Sequence, residues 1–193
     1  MKKTLSIVGK LRLMAAMSML ILIAVSGYML LNQYQDNRRD REIAVRQTVE
    51  VGYSILAWAH QLETSGSHTR EQAQQVAQQA LQTVRYSGNE YFWLQDMNAR
   101  VVMHPFRTDL NGKDGSGIKD PDGQAIFVMF AQRAQKSDGG GLVEYQWPKP
   151  GQDKPAPKIS YVKGFAPWGW VLGSGVYADD LRAQFLSSLW RAA

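Results

Sequence analysis

The 193-residue chain contains no cysteine and only three histidines. Without cysteine it has neither a disulfide framework nor a thiolate metal site. The histidines, at positions 60, 68 and 104, lack the spacing of metal ligands, and no serine motif pairs with any of them. We therefore expect no enzyme activity, no metal and no cofactor.

Basic charge is also too sparse to indicate nucleic-acid binding. The formal net charge is +5, and much of it lies near the N-terminus, with no basic stripe through the rest of the chain. Lys2, Lys3, Lys10 and Arg12 precede a long apolar run. A basic end beside such a run indicates membrane orientation, so we expect no nucleic-acid partner.

The apolar run, residues 13–31, has no charged residue and is close to the ~20 residues that cross a bilayer as a helix. A cleaved signal peptide is the alternative, with a cleavage site near Ser26. Apolar residues continue to Leu31, which favours an uncleaved transmembrane helix. The basic tail, residues 1–12, is then cytoplasmic, and the rest lies outside the bacterial inner membrane as a single-pass periplasmic domain.

Residues 32–86 are interpreted as a helical segment. Apolar positions recur at helical spacing over residues 32–63, which predicts a long helix continuing the transmembrane helix. Thr69 and Gln72 form the pattern of a capping box, so a second helix is predicted from there. Its apolar stripe is typical of a helix packed on a core.

Residues 87–177 are rich in aromatic and β-branched side chains, which predicts a sheet domain. Five strands are expected, at residues 90–95, 100–104, 142–147, 158–165 and 170–177, with a short helix at 125–135. Helices before and after an antiparallel sheet indicate the α+β class. Because the strands are apolar at successive positions, the sheet is expected to be covered on both faces, with the long helix on one and a pocket on the other.

Several motifs in order carry a family resemblance. They are Asn89-Glu90-Tyr91-Phe92-Trp93, His104-Pro105, the run from Glu144 to Gly151, the run from Lys158 to Val162, Pro167-Trp168-Gly169-Trp170 and Gly175-Val176-Tyr177. Together they resemble the single Cache (sCache_2-type) sensor domains of methyl-accepting chemotaxis receptors and sensor kinases. The resemblance implies a long N-terminal helix packed on a PAS-like five-stranded antiparallel sheet. It also implies binding of a short C2–C4 carboxylate, such as acetate, propionate, pyruvate or lactate, for chemotaxis or signal transduction.

A small carboxylate needs a desolvated cation or several donors, together with an apolar wall. Lys158 is the candidate cation, although it could instead be a solvent-exposed strand start. His104 is a candidate donor whose charge would titrate near neutral pH, with a structural role as the alternative. Aromatic residues with polar tips complete the predicted ligand-binding set, namely Tyr91, Trp93, Tyr145, Trp147 and Tyr161.

The resemblance also implies how the domain is joined to the membrane and to its signalling partners. Residues 178–193 are expected to form an amphipathic helix leading toward a second transmembrane helix, so the chain is either a fragment of a receptor or a stand-alone sensor with a signalling partner protein. A homodimer through the long helix would carry the signal across the inner membrane. The alternative function is a ligand-free, membrane-tethered scaffold for another signalling protein.

Overall fold

A computed structural model describes residues 6–177. The chain divides into two compact units after Arg41, and the first contains the start of helix α1 (Ile7–Thr64). The part Ile7–Gln33 is long and apolar enough to cross a membrane, with a mean hydropathy of 2.1. This part includes the predicted run 13–31, and membrane insertion itself stays a prediction.

The second unit begins at Glu42 with the remainder of α1, followed by α2 (Arg70–Thr83). The predicted capping box is present at the start of α2. Thr69 Oγ1 accepts a hydrogen bond from Gln72 N at 3.3 Å, and Gln72 Oε1 accepts one from Thr69 N at 2.9 Å. Two backbone donors that a helix start leaves unpaired are thereby satisfied.

A five-stranded antiparallel sheet follows. In chain order it contains β1 (Phe92–Asp96), β2 (Val101–Met103), β3 (Gly140–Pro148), β4 (Pro155–Phe165) and β5 (Trp170–Tyr177), with helix α3 (Ile126–Ala134) between β2 and β3. The strand order across the sheet is β2-β1-β5-β4-β3. All five predicted strands and the predicted short helix are present, so the α+β fold is confirmed.

The two faces of the sheet carry separate apolar cores. One core joins the sheet to α1 and α2, through residues such as Leu56, Leu81 and Leu172. The other joins the sheet to α3 and contains Trp93, Phe130 and others. Successive strand residues point to opposite faces, which explains why the strands are apolar without alternation.

Two polar contacts add to the apolar packing between α1 and the sheet. Lys163 Nζ on β4 donates to Glu50 Oε2 at 2.5 Å, and Trp168 Nε1 donates to Glu63 Oε2 at 2.6 Å. The predicted helix at 178–193 and the first five residues of the basic tail lie outside the described residues.

Candidate ligand-binding site

Lys158 on β4 lies in the interior of the domain, with only 1% of the residue exposed. Its ammonium nitrogen is 4.1 Å from the ring centre of Tyr91, 4.5 Å from that of Tyr177 and 5.8 Å from that of Trp93. A cation over aromatic faces is attracted by the ring quadrupoles. The alternative of an exposed strand start is therefore excluded by the burial.

Burial lowers the pKa of Lys158 to about 7, and the charge of Glu90 opposes this effect. Its ammonium nitrogen lies 3.5 Å from the hydroxyl oxygen of Tyr177. This distance is longer than a good hydrogen bond. The amine is thus held in an aromatic environment where its charged form is disfavoured and an anion would stabilise it.

His104, directly after β2, is 3% exposed and packs on Tyr91 and Trp147, with ring centres at 5.0 and 5.7 Å. Its Nδ1 accepts hydrogen bonds from the backbone N–H of Phe106 at 3.3 Å and of Arg107 at 2.9 Å. A nitrogen that accepts carries no proton, so the proton of the neutral ring is on Nε2. Nε2 is thereby fixed as a donor.

The expectation that His104 titrates near neutral pH is wrong. Burial lowers its pKa to about 3, with the charges of Lys158 and Arg107 acting in the same direction. A buried imidazolium would also lose both bonds that Nδ1 accepts. The sequence pattern placed His104 at the end of a strand but could not show that Tyr91 and Trp147 would pack against it and bury it.

A small aromatic cavity of about 10 Å³ lies between the sheet and α3. It is lined by Tyr91, Trp93, His104, Ile126, Phe127, Phe130, Tyr145 and Trp147. Trp93 Nε1 is buried and has no acceptor among the described residues. The Tyr145 hydroxyl is 3.0 Å from the Ser160 hydroxyl, so that polar tip already has a partner.

Six of the seven predicted site residues are thus brought together, because Tyr91, Trp93, His104, Tyr145, Trp147 and Lys158 share one face of the sheet. Tyr161 does not join them. As the third residue after Lys158 it points to the opposite face, against the α1 core, where Arg46 lies 5.9 Å from its ring centre. Strand alternation predicts this placement from Lys158 alone.

Sequence reasoning missed Tyr177 and the α3 residues of the cavity wall. Tyr177 pairs with Lys158 across β4 and β5. Predicting this contact required knowing that β4 pairs with β5, which the short turn between the two strands could have suggested. The α3 residues Ile126, Phe127 and Phe130 belong to the predicted short helix 125–135, and only the packing of that helix on the sheet makes them a cavity wall.

A second, more polar cavity of about 220 Å³ adjoins the first, because Tyr91 and Trp147 line both. Its other wall is the connection between β3 and β4, including Lys149 and Gln152. The inner cavity is therefore separated from the outer one by aromatic side chains. Within residues 6–177, no group of three histidine or carboxylate side chains is placed to hold a metal ion.

An antiparallel sheet with a long helix on one face and an aromatic cavity on the other is the architecture expected of a small-molecule sensor domain. The sequence model of the single Cache domain 2 family matches residues 37–191, and the chain belongs to this family. The family prediction is therefore confirmed. The domain is a Cache chemosensory domain of the kind found in chemotaxis receptors.

Relatives agree with this assignment. Methyl-accepting chemotaxis protein McpP of Pseudomonas putida is 37% identical over 187 residues, 97% of this chain and 34% of that protein. This chain therefore spans about a third of the length of that relative. A solved periplasmic sensor domain of a chemotaxis protein is 41% identical, covering 72% of this chain and 96% of that domain, with a TM-score of 0.70. A second solved structure is a Cache chemosensory domain described for its carboxylic acid recognition. It is 45% identical, covering 75% of this chain and 97% of that domain, with a TM-score of 0.72.

Proposed function

We propose that the domain binds a short-chain carboxylate beside Lys158, at the aromatic cavity. The buried ammonium of Lys158 carries this proposal, since it is 1% exposed and is surrounded by aromatic rings. A buried charge is costly unless an ion or strong hydrogen bonds compensate it. A ligand carboxylate would supply the compensating charge and gain charge-assisted hydrogen bonds in return.

Two neutral donors lie on the same face of the sheet as Lys158. The Nε2–H of His104 is fixed by the two bonds that Nδ1 accepts, and the Nε1–H of Trp93 is buried without an acceptor among residues 6–177. A carboxylate has two oxygens and about four lone-pair sites, so it can accept from an ammonium and from both donors. A neutral sugar or an organic cation would add no negative charge to that of Glu90 beside the ammonium.

The size of the cavity favours small acids. Its volume of about 10 Å³ is far below the ~300–1,000 Å³ of sites for drug-sized ligands, and its walls are bulky aromatic side chains. We therefore propose C2–C4 carboxylates as the ligand class. The related Cache domain associated with carboxylic acid recognition, at 45% identity, supports this proposal.

A thermal-shift screen of the full 193-residue chain in detergent tests the ligand class against C2–C4 carboxylates, amino acids and sugars. A ligand at 100 times its Kd stabilises the folded state by about 2.7 kcal/mol, which a melting curve resolves. Stabilisation by short carboxylates alone is the expected result. Absence of a shift with every compound would contradict the proposal and favour the ligand-free scaffold.

Lys158→Met tests the role of the ammonium, because methionine keeps much of the side-chain volume and removes the charge. We expect the carboxylate shift to disappear, while the ligand-free variant stays folded because methionine fills most of the same space among the aromatic rings. Lys163→Met is the matched control, since Lys163 lies on the same strand, on the opposite face, beside Glu50. Unchanged affinity in Lys158→Met would show that the ammonium does not bind the ligand.

We further propose that the chain is an anchored receptor component in the bacterial inner membrane. The helix Ile7–Gln33 and the chemotaxis receptor relative support this proposal. A parallel homodimer through α1 is supported by exposed apolar residues at seven-residue intervals, Ala44, Val51 and Trp58. A signalling partner protein then receives the output.

A further inference from the structure

The hydroxyl of Tyr177 has three polar neighbours, namely the ammonium of Lys158, the backbone carbonyl of Pro148 and the hydroxyl of Tyr91. It donates to the backbone carbonyl of Pro148 at 2.7 Å, and its oxygen is 3.5 Å from Lys158 Nζ. A phenol has one proton to donate, while an ammonium donates and never accepts. Without ligand the polar chain therefore runs in one direction, from the Lys158 ammonium to the Tyr177 oxygen and from the Tyr177 proton to Pro148 O.

Pro148 is the last residue of β3, at the base of the β3–β4 loop, residues 149–154. Two cavities of about 220 and 250 Å³ both have Lys149, Pro150 and Gln152 in their walls. The loop therefore has open space on two sides instead of close packing. A hydrogen bond at its base has a large share in fixing such a segment.

We propose that Tyr177 is a positioning residue that couples carboxylate binding to the β3–β4 loop, because its single proton moves from Pro148 O to the ligand. This inference rests on the proposed carboxylate site at Lys158. A carboxylate paired with the ammonium lies within reach of the neighbouring hydroxyl. Hydrogen bonds to a charged acceptor are worth more than those to an amide carbonyl, so the proton turns toward the ligand.

The consequence is a change in the loop without a change in the fold. When the hydroxyl turns away, Pro148 O loses its donor and the base of the loop is released. Burial raises the pKa of Tyr177, so the hydroxyl keeps its proton and remains a donor in both states. The ligand shifts the conformational equilibrium of the loop only by the difference in hydrogen-bond strength between Pro148 O and the carboxylate. Such a difference is what couples binding to a conformational change.

Tyr177→Phe removes the proton and keeps the ring against the ammonium. A nitroxide on Gln152→Cys reports the loop, because Gln152 is exposed and the chain has no other cysteine. In the full chain, we expect propionate to raise the mobility of the label. With Tyr177→Phe added, mobility should be high without propionate and should not rise further, and calorimetry should show about fivefold weaker binding.

Tyr53→Phe is the matched control, since Tyr53 packs on Phe165 at the opposite face and should leave the propionate response intact. Propionate that binds by calorimetry without changing the label would overturn the coupling. Equal label mobility in the ligand-free Tyr177→Phe and parent proteins would also overturn it, whether or not propionate binds. Absence of binding by propionate, acetate and pyruvate to the parent protein would overturn the proposed carboxylate site instead.

Discussion

At the scale of the residue, Lys158 has a charge that solvent does not reach. Burial lowers its pKa to about 7, whereas His104 has a pKa of about 3 and burial raises the pKa of Tyr91, Tyr145 and Tyr177. His104 and these three tyrosines therefore each keep one protonation state between pH 6 and 9. Lys158 is the group among these whose charge changes in that range.

We predict that carboxylate affinity is constant below about pH 7 and falls above it by about tenfold per pH unit, because only the ammonium pairs with the anion. Calorimetry with propionate at several pH values measures this slope. Lys158→Arg is the control, since arginine stays charged and any residual binding should not depend on pH in this way. A flat profile in the unmodified protein would contradict the assignment of Lys158.

His104 should instead affect acid stability. Its pKa is depressed in the folded state, so the unfolded chain binds a proton that the folded chain excludes as pH falls from 6.5 toward 3. We predict that stability is full above pH 6.5 and that His104 accounts for about 2 kcal/mol of its loss between pH 7 and 5. Urea unfolding of the full chain and of His104→Asn measures the difference.

Asparagine can replace Nδ1 as the acceptor for Phe106 N and Arg107 N without taking up a proton. The pH 5 to 7 difference should therefore shrink in His104→Asn. His68→Asn is the control, because His68 lies at the surface between α1 and α2. Equal acid sensitivity in all three proteins would show that His104 is not held neutral by the fold.

At the scale of the element, the approach of α1 to the sheet depends on Gly52. A Cβ at this position would lie 2.7 Å from Cε1 of Phe92 and 3.1 Å from Cδ2 of Leu172. The helix can lie this close to β1 and β5 only because residue 52 has no side chain. Glycine in a helix costs about 1 kcal/mol relative to alanine, so the close packing outweighs a real helix penalty.

We predict that Gly52→Ala destabilises the domain by about 1–3 kcal/mol through overpacking, despite the better helix propensity of alanine. Denaturant unfolding of the full chain in detergent measures the change. Ser54→Ala is the control on the exposed side of the same helix and should stay within about 0.5 kcal/mol. A stabilised Gly52→Ala protein would show that α1 moves away from the sheet at little cost.

At the scale of the whole molecule, the absence of cysteine makes the membrane topology directly testable. We predict that a single cysteine at Gln152 reacts with a membrane-impermeant maleimide in cells whose outer membrane is permeabilised. A single cysteine at Lys3 should react only after the inner membrane is disrupted, because basic residues before an apolar helix are retained in the cytoplasm. The reverse labelling pattern would contradict the proposed periplasmic location.

Much of the architecture follows from the sequence because it is encoded locally. The apolar run, the capping box at Thr69 and the five β-rich segments depend on residues that are near one another in the chain, so their patterns predict helix and strand without tertiary information. The order of the Cache motifs then identified the family, which the match over residues 37–191 confirmed.

The site was only partly predictable, because burial and pairing are properties of the folded chain. The sequence by itself determined which residue types are present, and six of the seven candidates lie on one face of the sheet. Strand alternation from Lys158 already places Tyr161 on the opposite face, whereas only the tertiary structure decided that Tyr177 lies opposite Lys158 and that His104 stays neutral. The physical reason is that strand pairing and desolvation arise from segments far apart in the chain, which meet only when the sheet closes between its two helical layers.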